Sequence, residues 1–232
     1  MNEVSELSTP IFNPFESQEI TPAYSDHWHA KRRVAQAIRK LTDVLITSTP
    51  PLDELHAIAQ RLELQADEFS SCKRLYGMMD FVDDGNHGSY GELSHEINAL
   101  GGWSNPLSPG LNMWMDGTKA YGTVRCGYAY EGPPGFIHGG FIAAIMDQFL
   151  GMAQIAGKKP GMTGTLNMRY LRPTPLNTEL DLEAEVFILE GRKTLVKGEI
   201  RASDVVTATC EGLFIRPTKG MHSAPRRDET AR

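Results

Sequence analysis

The run from Gly139 to Ala156, GGFIAAIMDQFLGMAQIA, constrains the fold more than any other part of the chain. It reads as one long helix, and Phe141, Ile142, Ile145, Met146, Phe149, Leu150, Met152 and Ile155 leave it almost no polar face. Such a helix cannot lie on a surface and needs other structure around most of its circumference. The flanking sequence supplies strands. Two strand-like runs precede it, Leu111–Asp116 and Ala120–Tyr130, meeting in a turn at Gly117. Four more follow with no further helix, at 162–172, 178–190, 193–203 and 205–216. Alternation is cleanest in ELDLEAEVFIL: Leu180, Leu182, Ala184, Val186 and Ile188 share one face, and Glu179, Asp181, Glu183 and Glu185 the other. That acidic row is the wet side of a half-buried antiparallel sheet. Pro173 and Pro175 end one strand, Glu190-Gly191 separates two more, and Ser203-Asp204 makes a tight reversal.

Strands, one apolar helix, then four antiparallel strands imply an α+β chain, an antiparallel sheet wrapped around one long helix, which is the hotdog arrangement. The segmentation reads as an extended or disordered arm at 1–25, a helical extension and linker at 26–96, the hotdog domain at 97–217 and a flexible tail at 218–232. In the arm, Ile11, Phe12 and Phe15 are suited to lie on a partner surface. Helices are expected at about 26–45 and 51–69, each with an apolar stripe, and a polar, Gly-rich loop at 80–91. The basic cluster Lys31-Arg32-Arg33 would attract a phosphate or form a solvated helix face, the second being the commoner case.

Composition narrows the function classes. A formal net charge of −6 argues against non-specific attraction to nucleic acid or anionic lipid. Cys72, Cys126 and Cys210 lie far apart without a CxxC pair, which fits free thiols in a reducing cytosol, with Cys126 and Cys210 filling core. No run is apolar enough for membrane insertion, and five acidic residues precede the first basic one, Lys31, unlike a targeting signal. Cytoplasmic location is the expectation. The histidines, His27 and His29 included, show no metal-ligand spacing, so neither metal nor cofactor is expected.

Chemistry concentrates at His138-Gly139-Gly140 and Asp147. A carboxylate inside a greasy helix is costly unless it is paired or used. At the helix start, the first N–H groups lack internal partners, and glycine lets a ligand oxygen approach them. The helix N-terminus also stabilises developing negative charge, so this turn is an oxyanion hole in waiting. Positions 139 and 147 are about 12 Å apart along one helix, too far to act on one substrate atom. Two helices from two subunits solve that geometry, which predicts a homodimer with two composite sites.

These residues resemble the PaaI-type hotdog thioesterases, in particular the branch of mammalian acyl-CoA thioesterases of the superfamily-member type. The resemblance covers about 110–216: YEGPPGFIHGG, Asp147, the strand MTGTLNMRYLRPTPL, EGRK, and ATCEGLFI. It implies hydrolysis of an acyl-CoA thioester, coenzyme A being part of the substrate. The His138–Gly139 backbone would polarise the carbonyl, with Gly140 beside it, and Asp147 would activate water or attack directly. Thr163 matches the family's water-positioning hydroxyl, and Thr165, read as facing the same way, is the fallback. Arg192 and Lys193 of EGRK would meet the CoA phosphates, or be an ordinary hairpin turn. Many PaaI-type enzymes have an Asn shortly before HGG, whereas Gly132 stands near that place here; the departure favours medium- or long-chain fatty acyl over aryl groups. A non-catalytic acyl-CoA-binding or assembly module is the alternative, and a hotdog hydratase a third. A dimer could pair further into a tetramer.

Overall fold

The computed structural model describes residues 15–157, 161–188 and 191–218. Ile11, Phe12, Glu190 and the tail from 219 lie outside them. Four helices come first: α1 (Asp26–Thr47), α2 (Leu52–Ser71), α3 (Met78–Asp84) and α4 (Tyr90–Ile97). The hairpin β1 (Asn112–Asp116) and β2 (Lys119–Arg125) follows, turning at Gly117, whose φ of 61° suits glycine. A short 3-10 turn at Tyr128–Tyr130 leads towards α5 (Gly139–Ala153), and then β3 (Met162–Tyr170), β4 (Glu179–Ile188), β5 (Lys193–Ala202) and β6 (Val205–Ile215) complete the chain.

The six strands form one sheet in the order β1-β2-β4-β5-β6-β3, antiparallel throughout. Period-2 alternation turns Leu180, Leu182 and Ala184 inward, and Val196, Ile200, Ala208, Cys210 and Phe214 with them, onto α5. From the helix, Ile142, Ile145, Met146, Phe149, Leu150 and Ala153 complete the core. The strands make room for it: a Cβ on Gly198 would meet Leu150 Cδ2 at 2.8 Å. This is the hotdog architecture expected. The helix is not covered on every side, however. Ala143, Ala144, Asp147 and Gly151 are only half-buried, and Ile155 is exposed. Small residues fill that stripe, so the chain's own sheet covers the bulky faces and leaves this one open.

The segment 80–91, read from its glycines as a loop, instead holds the end of α3, a turn and the start of α4. Ser89 and Glu92 make a capping box, the serine accepting from the Glu92 N–H and Glu92 accepting from the Ser89 N–H. Phe15 also departs from expectation. It packs in this chain's own core, its carbonyl accepting from Met115 N at 2.9 Å. None of the residues of α2 is buried.

The three adjacent basic residues divide among three environments. Lys31 Nζ stands 4.5 Å from the centre of the Trp28 ring. Arg32 forks onto the buried Glu96 carboxylate at 2.7 Å, tying α1 to α4. Arg33 is exposed beside a concavity between α1 and β2.

His95 on α4 is buried between Phe15 and Trp103, and neither ring nitrogen has a hydrogen-bond partner among the described residues. Burial, with help from the Arg32 charge, lowers its pKa from 6.5 to about 4. Folded His95 is therefore neutral where the unfolded chain already takes a proton, so its stabilising contribution is complete above pH 6.5 and falls away between 6.5 and about 4. The loss is on the order of 3 kcal/mol across that window. His95→Phe is expected to flatten this acid limb in thermal or denaturant unfolding, and an unchanged limb would show that His95 does not cause it.

Candidate active site

The turn before α5 is held by its own backbone. His138 N donates to Tyr130 O at 2.9 Å, and Phe141 N donates back to His138 O. Tyr130 then packs edge-on against Phe141, ring centres 4.9 Å apart, fixing the entry of the chain into the helix. Gly132 lies directly beneath: a Cβ there would come within 2.7 Å of His138 Cα. A side chain at Gly132 would clash with the His138 backbone.

His138 is the N-cap of α5, and its Nδ1 accepts from the Gly140 N–H at 3.0 Å. Because Nδ1 accepts, the neutral ring carries its proton on Nε2. With the His138 and Gly140 amides engaged, the Gly139 N–H is the free donor of this turn among the described residues. The sequence suggests a shared hole along His138-Gly139-Gly140; the structure narrows the available donor to Gly139 and gives His138 a capping role. At the same residue, the Gly139 carbonyl accepts from Tyr170 Oη at 2.8 Å.

Asp147 lies two turns further on, on the open stripe of α5, half-buried. Thr163 Oγ1 donates to its Oδ1 at 2.9 Å from the start of β3. The sequence places Asp147 among Ile145, Met146, Phe149 and Leu150, but those side chains point into the core and the carboxylate stands away from them. Its charge is felt by the buried Cys210 on β6, whose thiol burial pushes up to about 12, with Asp147 and Glu211 adding to the shift. Cys126, also buried, rises to about 12, so neither thiol is a nucleophile at neutral pH.

Thr165 does not share the facing of Thr163. An irregularity at Gly164 puts Thr163 opposite Phe214 and Thr165 opposite Leu213, adjacent β6 residues on opposite faces of the sheet. Arg192 and Lys193 sit at the turn entering β5. Arg192 Nη1 donates to Arg216 O at 3.0 Å, and Lys193 is exposed. Lys193 pairs with Ile215, which pairs with Met162, so it lies about 10 Å across the sheet from the Thr163 end of β3.

Tyr170 is the residue of this site that the sequence leaves unmarked. An aromatic at the end of a strand reads as a strand former, and only the tertiary fold brings its hydroxyl to the helix start. β3 thus touches both ends of the chemistry, Thr163 on Asp147 and Tyr170 on Gly139. Tyr170→Phe removes one hydrogen bond and is expected to lower turnover by about three- to tenfold with little change in KM. Steady-state kinetics beside a thermal melt checks this; equal turnover would leave Tyr170 no positioning role.

Among the described residues, no group of three or more His, Cys, Asp or Glu side chains gathers to hold a metal. No described helix is long and apolar enough to cross a membrane.

The sequence family described as the thioesterase superfamily matches residues 134–209, from the turn before His138 into β6. The crystal structure of a thioesterase superfamily protein superposes with a TM-score of 0.68 and 31% identity, covering 84% of this chain and 97% of that one. The chain belongs to the thioesterase superfamily. Curated relatives in the superfamily include acyl-coenzyme A thioesterase THEM4 of Xenopus laevis, 35% identical over 88 residues, which are 37% of this chain and 40% of that protein. The THEM4 of Rattus norvegicus is 36% identical over 113 residues, 46% of this chain and 49% of that protein. The chain therefore spans less than half the length of these two relatives.

Proposed function

We propose that this thioesterase superfamily member hydrolyses the thioester of a medium- or long-chain fatty acyl-CoA, in a site shared by two copies of the chain. The observation that carries the reading is the Asp147 carboxylate, held through one oxygen by Thr163 and half-open on the helix that also presents the free Gly139 N–H. The superfamily match and the relatives' names supply the thioester class, and the EGPPGFI turn without an Asn supports the fatty acyl preference.

In the proposed reaction, the thioester carbonyl oxygen sits on the Gly139 N–H. Asp147 takes a proton from water as its oxygen attacks the carbonyl carbon. The tetrahedral oxyanion is stabilised at the helix N-terminus, one such donor contributing about 3 kcal/mol. Collapse breaks the carbon–sulfur bond, and the proton on Asp147 passes to the leaving thiolate. Water and thioester become free acid and coenzyme A. Direct attack by Asp147, through an anhydride, gives the same products and is distinguished by trapping an acyl-enzyme.

The geometry supports two copies. β3 is an edge of the sheet with no strand beyond it among the described residues, and it is exposed along most of its length. Antiparallel pairing of two β3 strands about Leu166–Asn167 would set Thr163 opposite Tyr170 of the second copy. Asp147, attached to Thr163, would then stand beside the second copy's Gly139, attached to Tyr170. The half-open stripe of small residues on α5 would face the same junction. In this arrangement Arg192 and Lys193 are candidates for the CoA phosphates.

Thiol release measured over fatty acyl-CoAs of graded length and an aryl-CoA tests the reading. The expected result is turnover that rises with fatty chain length. Binding without thiol release from any thioester would overturn it.

A further inference from the structure

A second polar site lies at the opposite edge of the sheet from β3. A concavity of about 530 Å³ opens between α1, the loop carrying Trp103, and the outward side of β2 and β4. Thr123, Arg125 and Glu179 come from the strands, where their inward neighbours Val124 and Leu180 are core. Arg32, Arg33 and Arg39 come from α1. Arg32 is neutralised by Glu96, but Arg33, Arg39 and Arg125 form no ion pair among the described residues. Glu179, the one carboxylate among the described lining residues, stands directly opposite Arg125 across the β2–β4 pair. In a chain of formal charge −6, three guanidinium groups set against one carboxylate on one concavity are a local reversal of sign.

The site is also built. Arg39 is half-buried, and its Nη1 donates to Asn105 O at 3.0 Å, which pins the guanidinium to the loop without cancelling its charge. Trp103 adds a flat wall, with the edge of its ring 3.6 Å from where a Cβ on Gly110 would stand. Planar guanidinium groups match the oxygens of a phosphate in pairs, and an indole face suits a base or other flat group.

We infer that this concavity binds a phosphate ester carrying at least two negative charges, of the nucleoside diphosphate class, through Arg33, Arg39 and Arg125. It stands several strand spacings from the free edge where the hydrolytic site is proposed, and it does not depend on that reading. The ligand chemistry has two sources, the nucleotide portion of a CoA thioester or a separate nucleotide.

Calorimetric titration of the full chain with inorganic pyrophosphate and with ADP tests the inference. The expected result is saturable binding of one ligand per chain, weakened by added salt. Arg33→Gln and Arg125→Gln should each weaken it by about tenfold or more, with the thermal melt unchanged. Absence of saturable binding, or equal binding by the Arg33→Gln, Arg125→Gln double variant, overturns the inference. The source is read from thiol release in the presence of ADP. A competitive rise in KM that the double variant no longer shows assigns the site to the substrate's nucleotide, and an unchanged KM assigns it to a separate one. Loss of thiol release with pyrophosphate binding intact would count against the hydrolytic reading alone.

Discussion

Asp147→Asn is expected to lower thioester turnover by about a thousandfold while leaving the fold and acyl-CoA binding in place. Asparagine has the size of aspartate, and its amide oxygen can still accept the Thr163 hydroxyl that now donates to Oδ1 at 2.9 Å. The second oxygen becomes an NH2, a donor where the reaction needs an acceptor, so the water has nowhere to leave its proton. Little stability should be lost. The carboxylate stands on the half-open stripe of α5 and not among the core side chains, so the helix packs as before. Thiol-release kinetics, a thermal melt and calorimetric binding of an acyl-CoA separate these effects. Full activity in a folded variant would remove Asp147 from the mechanism; lost binding with lost activity would make it a structural residue.

Much of this architecture was readable from residue pattern, because the physics that forms it is local. The alternation of Leu180, Leu182 and Ala184 with acidic residues announces β4, and the unbroken apolar run from Phe141 announces α5. Other features depend on tertiary pairing. Hydrophobicity could not show that Ala143, Ala144 and Asp147 share an open stripe, since small apolar residues suit a core and a subunit junction equally. Nothing in the strand pattern marks Gly164, yet the irregularity there turns Thr165 away from Thr163. The hydrogen bond from Tyr170 to Gly139 spans 31 positions and has no local signal. Lys31, Arg32 and Arg33 are one basic cluster in sequence but face Trp28, Glu96 and a concavity in the fold. The helix α4 is a different kind of miss. The spacing of Ser89 and Glu92 fits a capping box, whereas the surrounding glycines read as a loop.

Gly139→Pro is expected to lower turnover by about a hundredfold or more, by deleting the single amide hydrogen proposed to bind the oxyanion. Proline is tolerated at the first position of a helix, where its fixed φ is already suitable and no intrahelical bond is lost. His138, which would precede it, has φ −60° and ψ 129°, the extended conformation that a following proline favours. An added Cβ would meet the Tyr170 ring at 3.5 Å, an ordinary contact. The substitution therefore removes a donor and little else. Its value increases when combined with Asp147→Asn. Each variant alone disables both sites of a homodimer, but a mixed dimer would bring an intact Gly139 from one chain to an intact Asp147 from the other. Unfolding and refolding an equal mixture should restore about a quarter of wild-type activity, since half the dimers are mixed and each has one intact site. If Gly139 and Asp147 serve the same site within one chain, mixing restores nothing. The outcome therefore decides whether one chain or two make the site, independently of the acyl group of the thioester.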